Sequence, residues 1–257
     1  VGDTVPLATH TVRFNSTSSK DAIIDSGFSG VVTSILITDG YNGRISFGRS
    51  LAVSHDYTQD GGTVIVDPAH AFTVENSFTH TGGVLQETKP VASNSVVNFL
   101  QIQTSGGADV YRGVDLDTQL IGGQDLGSTT VSIRAVDLVT EFCTSDGAAS
   151  PVYAGRCYDI SPTNNHSANV TLWALSSERP AGLTNPSVYH YEGGVWVEQS
   201  NIATGIVGNY TWASGDVVGF SPFLMAQAGA VPTAVSLQSI SAQSPSGGMA
   251  VVICLVL

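Results

Sequence analysis

The chain has 257 residues, enough for one large β-domain or two small ones. Only 12% of them are charged, about half the usual share, while glycine takes 28 positions and Ser, Thr, Val and Asn recur throughout. That composition belongs to an all-β extracellular protein rather than to a helical or dinucleotide-binding enzyme. Nine Lys and Arg against 21 Asp and Glu leave a net charge of −12, which repels a phosphate backbone and an anionic membrane surface, so nucleic acid is not an expected partner.

Val1 opens on polar, strand-type sequence with no signal peptide, as a processed N-terminus would. Thr9 to Phe14 alternates, and Gly30–Thr38 reads as a buried strand followed by turn chemistry at Asp39–Gly43. Further strand patterns to Asp67, with a Gln59–Gly62 turn among them, predict a small antiparallel sheet with tight hairpins over residues 1–71. A soft boundary falls at 68–72. From Phe72 to Gln227 short strand patterns and turns alternate at regular intervals, which predicts a main antiparallel β-sandwich with Greek-key or jelly-roll-like connections. Its clearest hairpin runs from Val188 to Gln199, where Tyr189, Tyr191 and Trp196 flank a Gly193–Gly194 turn. Helical periodicity amounts to a turn or two at most. Residues 228–257 read as a small-residue, Pro-containing linker leading to an extended, apolar C-terminal strand.

Cys143 and Cys157 bracket a short Gly/Ser/Pro/Ala loop between two strand patterns, and a disulfide there is expected. Such a bridge places the protein outside the cell or on its surface. Cys254 is left over inside an apolar run and is expected to pack as a small hydrophobe. Four glycosylation sequons begin at Asn15, Asn165, Asn169 and Asn209; a glycan at any of them requires an outer-surface location.

The segments Arg156–Pro162, Ala168–Glu178, Val188–Glu198 and Val217–Ala226, with the "GFSPF" element at Gly219–Phe223, are joined by the "PTAV-x-L" element at Pro232–Leu237. Together they resemble a module of uncharacterised bacterial secreted and cell-surface β-sandwich proteins. Phe78–Gln86 and Tyr111–Asp117 extend the likeness upstream to about Phe72, so it covers roughly two-thirds of the chain. The resemblance implies a surface location and a β fold, and it supplies no catalytic residues.

Chemistry is sparse. None of His10, His55, His70, His80, His166 and His190 has the i, i+4 partner of a zinc helix, and there is no nucleophile elbow. No catalytic residue and no cofactor are expected. Asp115 and Asp117 leave one face of a strand together, and Asp56 and Asp60 flank a turn; Ca²⁺ is the one ion these carboxylates suggest, against the plainer reading of a solvated face. A glycosidase would need carboxylates paired across a cleft, and nothing marks such a pair. Tyr189, Tyr191, Trp196 and Trp212 could line a sugar-binding face or serve as cross-strand pairs.

The sharpest anomaly is Met249–Leu257, nine residues without a polar side chain apart from a thiol. As a strand, Val251, Ile253, Leu255 and Leu257 face one way and the alternate apolar residues the other, so both faces need cover. It is too short to span a membrane as a helix. Three readings follow: the last strand of its own domain, a strand donated to a neighbouring copy, or the start of an anchor. The leading expectation is a structural, non-enzymatic subunit of a self-assembling surface filament whose partners are other copies of itself, joined by strand donation. The alternative is a monomeric adhesin or carbohydrate-binding module, with glycans as partners and a C-terminal anchor.

Overall fold

The computed structural model describes residues 5–17, 20–136, 143–144, 152–220 and 222–230. Among these the chain is all-β, with a 3-10 turn at Ser176–Glu178 as its one helical element. The first nine strands are β1 (Thr11–Phe14), β2 (Ala22–Ile24), β3 (Val31–Val32), β4 (Ser34–Ile37), β5 (Arg44–Phe47), β6 (Leu51–Val53), β7 (Tyr57–Val66), β8 (Phe72–Val74) and β9 (Phe78–Val91). They pair in parallel: β1 with β4, β4 with β7 and β7 with β9 on one side, and β3 with β6 and β6 with β8 on another. Strands β2 and β5 continue the pattern onto the second half of β7.

This is a short β-solenoid. Each later coil takes about 21 residues, the step from Tyr57 to Phe78 and from Leu51 to Phe72. The expected antiparallel sheet over residues 1–71 is therefore corrected to stacked parallel coils. The reason lies in the corners. Gly62 and Gly83 adopt positive φ, +63° and +73°, as hairpin turns would demand. Here the chain turns through only part of a circle, so β7 and β9 bend at these glycines and continue. The expected boundary at 71–72 falls inside the stack, because Phe72–Val74 lies in register on Leu51–Val53.

Inside the coils, like stacks on like. Ile45, Val64 and Leu85 share one column, and Val32, Val53 and Val74 another. Rings fill the centre: Tyr57 stacks on Phe78 at 4.5 Å, and Phe72 meets Phe47 edge-on at 5.0 Å. Each such buried side chain contributes roughly 1.5–3 kcal/mol of transfer free energy.

The remaining strands are β10 (Val96–Phe99), β11 (Ile102–Gln103), β12 (Asp109–Tyr111), β13 (Val114–Asp117), β14 (Gly127–Ala135), β15 (Arg156–Pro162), β16 (Ala168–Leu175), β17 (Pro186–Glu192), β18 (Val195–Glu198), β19 (Ser200–Val207), β20 (Tyr210–Val217) and β21 (Phe223–Gln227). Strand β9 is the pivot. Phe78–Glu87 pairs in parallel with β7, while Val84–Val91 pairs antiparallel with β14. From there the first sheet runs β14-β15-β21-β17-β18, and a second, antiparallel sheet runs β10-β13-β16-β20-β19. Their inward side chains, among them Val131, Ile133, Ile160, Leu116, Val170 and Leu172, are fully buried and belong to the same core as the coil interior. The Gly193–Gly194 hairpin forms as the sequence predicts, with Glu192 opposite Val195 and both glycines at positive φ.

A buried charge sits where the two regions meet. The guanidinium of Arg156, with no exposed surface, lies over the Tyr111 ring at 4.2 Å. It donates to the carbonyls of Arg112 (2.6 Å) and Trp173 (2.9 Å) and to Glu178 (3.0 Å). Burial is the largest influence and opposes its charge, but the Glu178 carboxylate together with Tyr111 and Tyr158 outweighs it and holds the pKa above its ordinary value. Nearby, His80 accepts from the Tyr111 hydroxyl through Nδ1 (3.1 Å) when its proton is on Nε2, which faces the Gly83 carbonyl. Burial, reinforced by Arg156, pushes the imidazole down to about 3, so it is neutral.

Candidate interaction surfaces

The acidic residues singled out from the sequence are occupied. Asp115 and Asp117 do share a face of β13. Asp115 accepts from the Asn98 amide (2.6 Å) and the Trp173 indole (2.9 Å), with the Arg112 guanidinium 3.8 Å away. Asp117 accepts from the Gln119 backbone N–H at 2.7 Å. A Ca²⁺ ion wants six to eight oxygens, whereas Asp115 is ringed by hydrogen-bond donors. Asp56 clamps two coils by accepting from Asn76 (2.8 Å) and Ser77 (2.7 Å); these bonds hold its carboxyl below the usual range. Asp60 accepts from Thr81 one corner further on. Among the described residues no three His, Cys, Asp or Glu converge as metal ligands.

Cys143 and Cys157 are disulfide-bonded, with Cα atoms 5.4 Å apart. The bridge lies on the outward face of the first sheet beside a small second core of Val136, Tyr153, Tyr189, Trp196, Leu224 and Ala226. Tyr189 and Trp196, at 1% and 2% exposure, belong to that core and cannot line a sugar face. Trp212 is on the other sheet, in β20, so the four aromatics grouped in sequence reasoning are divided. Of the sequons, Asn165 and Asn209 are exposed and Asn15 is half-buried, its side chain accepting from Thr17. Asn169 is buried on a central strand and donates to Asp216 (2.7 Å), which removes it as a glycan acceptor. Cys254 and the apolar run with Val251, Ile253, Leu255 and Leu257, expected to be a strand, lie outside the described residues.

Sequence reasoning missed the end of the solenoid. Among the described residues β1, β2 and β3 each pair along one edge only. The coil interior opens there into a cavity of about 210 Å³, lined by Val12, Phe14, Ile23, Ile24, Phe28 and Ile35 among others. Ile23 is 70% exposed at its rim. Strand edges beside an apolar opening form a template for further strand pairing. The signal was available as a repeat: Asp39, Asp60 and Thr81, each next to glycine, recur every 21 residues at successive corners.

Comparison with known proteins finds no matching family model, no matching curated protein and no matching solved structure.

Proposed function

We propose that this chain is a structural, non-enzymatic subunit of an extracellular assembly. The open end of its solenoid receives the apolar strand Met249–Leu257 of a neighbouring copy. The observation behind this reading is the apolar cavity bordered by β1 and β2, each of which pairs along one edge only among the described residues. Its chemistry matches that strand, whose two apolar faces both need cover. Nine extended residues reach about 30 Å, enough to lie along the four-residue β1 and cross the cavity mouth. Such a contact is heterologous, and repeated without closure it gives a fibre. The disulfide accords with an oxidising compartment. The antiparallel part is read as a surface-type sandwich, with Asn165 and Asn209 as its accessible glycan acceptors.

The test pairs two variants. Deleting 249–257 removes the donor, and Ile23→Lys blocks the acceptor at an exposed position that does not threaten the fold. Each alone should abolish assembly in sedimentation and electron microscopy while leaving the β-sheet circular dichroism unchanged. Mixing the two should allow single joints, because the deletion variant keeps an intact acceptor and the Ile23 variant an intact donor. Assembly of the deletion variant at the unaltered subunit spacing sinks the proposal.

A further inference from the structure

The solenoid corner between β4 and β5 carries a reactive pair of residues that strand donation does not use. Arg44 follows Ile37 by seven positions, whereas their pairing partners Gln59 and Thr63 are four apart, so this corner bulges three residues beyond the one beneath it. Tyr41, Asn42 and Gly43 lie in the bulge. The Tyr41 ring is buried, 5.3 Å from Phe14, and its hydroxyl donates to the Lys20 carbonyl (2.9 Å). Position 43 admits only glycine: a Cβ there would fall 2.5 Å from the Tyr41 hydroxyl oxygen and 2.7 Å from the Lys20 carbonyl oxygen. Asn42, between the two, is exposed.

Asn42–Gly43 is the single Asn-Gly sequence of the chain. Among the described residues the Gly43 N–H donates to no acceptor and the Asn42 side chain makes no hydrogen bond. A backbone amide without an acceptor is uncommon. Here its nitrogen has no bond to give up before it turns on the neighbouring side-chain carbonyl carbon, and glycine, lacking a Cβ, does not crowd the approach. The reaction needs nothing but water. The Gly43 nitrogen bonds to Cγ of Asn42, and its proton passes through solvent to the side-chain nitrogen, which departs as ammonia and leaves a cyclic succinimide. Water then opens the ring. Attack at the former side-chain carbonyl gives aspartate; attack at the main-chain carbonyl gives isoaspartate, whose backbone runs through the old side chain and is longer by a methylene. Either product adds a carboxylate to a polar recess of about 570 Å³ that Asp39, Asp60 and Arg134 already line. Isoaspartate also displaces Gly43, whose carbonyl accepts from the Thr63 N–H at 3.0 Å and ties this corner to the next coil. Crowded like charges and a lengthened backbone both loosen the corner.

We infer that Asn42 is a site of spontaneous covalent modification, converted with Gly43 through a succinimide to isoaspartate and aspartate, and that this conversion loosens the first coils of the solenoid. The test incubates the full chain in mildly alkaline buffer beside a synthetic peptide covering residues 38–45. Tryptic mass spectrometry with electron-transfer fragmentation should find isoaspartate and aspartate at position 42 of the protein, while Asn15, Asn76 and Asn94, each followed by serine, remain amides. Asn42→Gln, whose longer side chain would have to close a larger ring, should lose the isoaspartate signal. Urea denaturation reads the consequence: incubated wild-type protein should unfold at a lower midpoint than fresh protein, and Asn42→Gln treated alike should keep its midpoint. An intact Asn42 when the peptide has converted, conversion of Asn15, Asn76 or Asn94 ahead of it, or an unchanged midpoint in converted protein overturns the inference.

Discussion

The solenoid and the antiparallel sheets bury their cores by different routes. In the coils, strands of two to four residues contribute one or two inward side chains each, and β7 and β9 bend at glycine corners to serve two sides. No strand there could hold its register alone, so order comes from stacking like side chains at a constant step. In the antiparallel part, β14, β16 and β20 run eight or nine residues and fix their register through long ladders. The centre of the coils is aromatic, whereas the centre between the antiparallel sheets is mostly Val, Ile, Leu and Ala. Short strands need large rings to reach the middle of a coil; long strands fill their interior with branched aliphatics.

The largest expected effect comes from breaking the joint between the two. Arg156→Leu removes donors to two carbonyls and leaves Glu178 without its cation. Removing one partner of a buried pair costs about 3–5 kcal/mol. Because Arg156 also sits over Tyr111, whose ring is 4.7 Å from Phe78, coils and antiparallel sheets should lose stability together. Chemical denaturation followed by near- and far-ultraviolet circular dichroism checks this: a single, earlier transition is expected. Two separated transitions would mean that the regions unfold independently and the joint is weak.

The next contrast tests the cores separately. Phe78→Ala deletes a ring packed on Tyr57, Phe72 and Tyr111, with an expected loss of about 3–5 kcal/mol. Ile133→Ala, in the fully buried interior of β14, should cost about 2–5 kcal/mol. Hydrogen exchange distinguishes their reach. The coil variant should loosen β7 and β8 first, since each coil is held by its neighbours, and the Ile133 variant should loosen β9, β14 and β15.

These regions also differ in how far they were legible in the sequence. The all-β class followed from composition, and the Gly193–Gly194 hairpin from its pattern, because a two-residue glycine turn between alternating strands has few other uses. The parallel coils were not legible from turn residues alone. A hairpin and a solenoid corner both require glycine at positive φ, so Gly40, Gly62 and Gly83 point equally to either. The pattern of Gly30–Thr38 predicts one strand, yet the chain breaks at Thr33 into β3 and β4 on different sides of the coil. Only the 21-residue repeat separates the alternatives. The setting of Trp212 is half visible in the sequence. Trp212 was named, but Gly205, which lays its ring flat, carries no signal until the register is known.

A third test acts on the antiparallel side alone. Reducing Cys143–Cys157 opens a loop with a sequence separation of 14, worth about 3 kcal/mol in the chain-entropy model. Its loss should expose the small core around Tyr189 and Trp196 and leave the solenoid unaffected. The expected readout is a red shift of Trp196 emission and faster exchange in β17 and β18, with β7 and β8 unchanged. Equal loosening of the coils would show that the second core braces the whole molecule.

The smallest effect, per unit of pH, concerns His80, which joins the coil corner at Gly83 to Tyr111. In the unfolded chain its imidazole titrates near the ordinary 6.5, whereas burial and Arg156 lower it to about 3 in the folded protein. Below 6.5 the unfolded state therefore takes up a proton that the folded state refuses. The stabilisation associated with the neutral ring is complete above about 6.5 and is lost as the pH falls toward 3. Well inside that window the loss approaches about 1.4 kcal/mol per pH unit for one proton. Carboxylates also take up protons as the pH falls, so the wild-type profile alone does not isolate the histidine. His80→Gln does: a Gln amide can donate to Gly83 and accept from Tyr111, yet takes up no proton. Between pH 6.5 and 5 the wild-type protein should lose stability in urea denaturation while His80→Gln stays nearly flat. Parallel profiles for the two proteins would mean that the imidazole accepts its proton in the folded state.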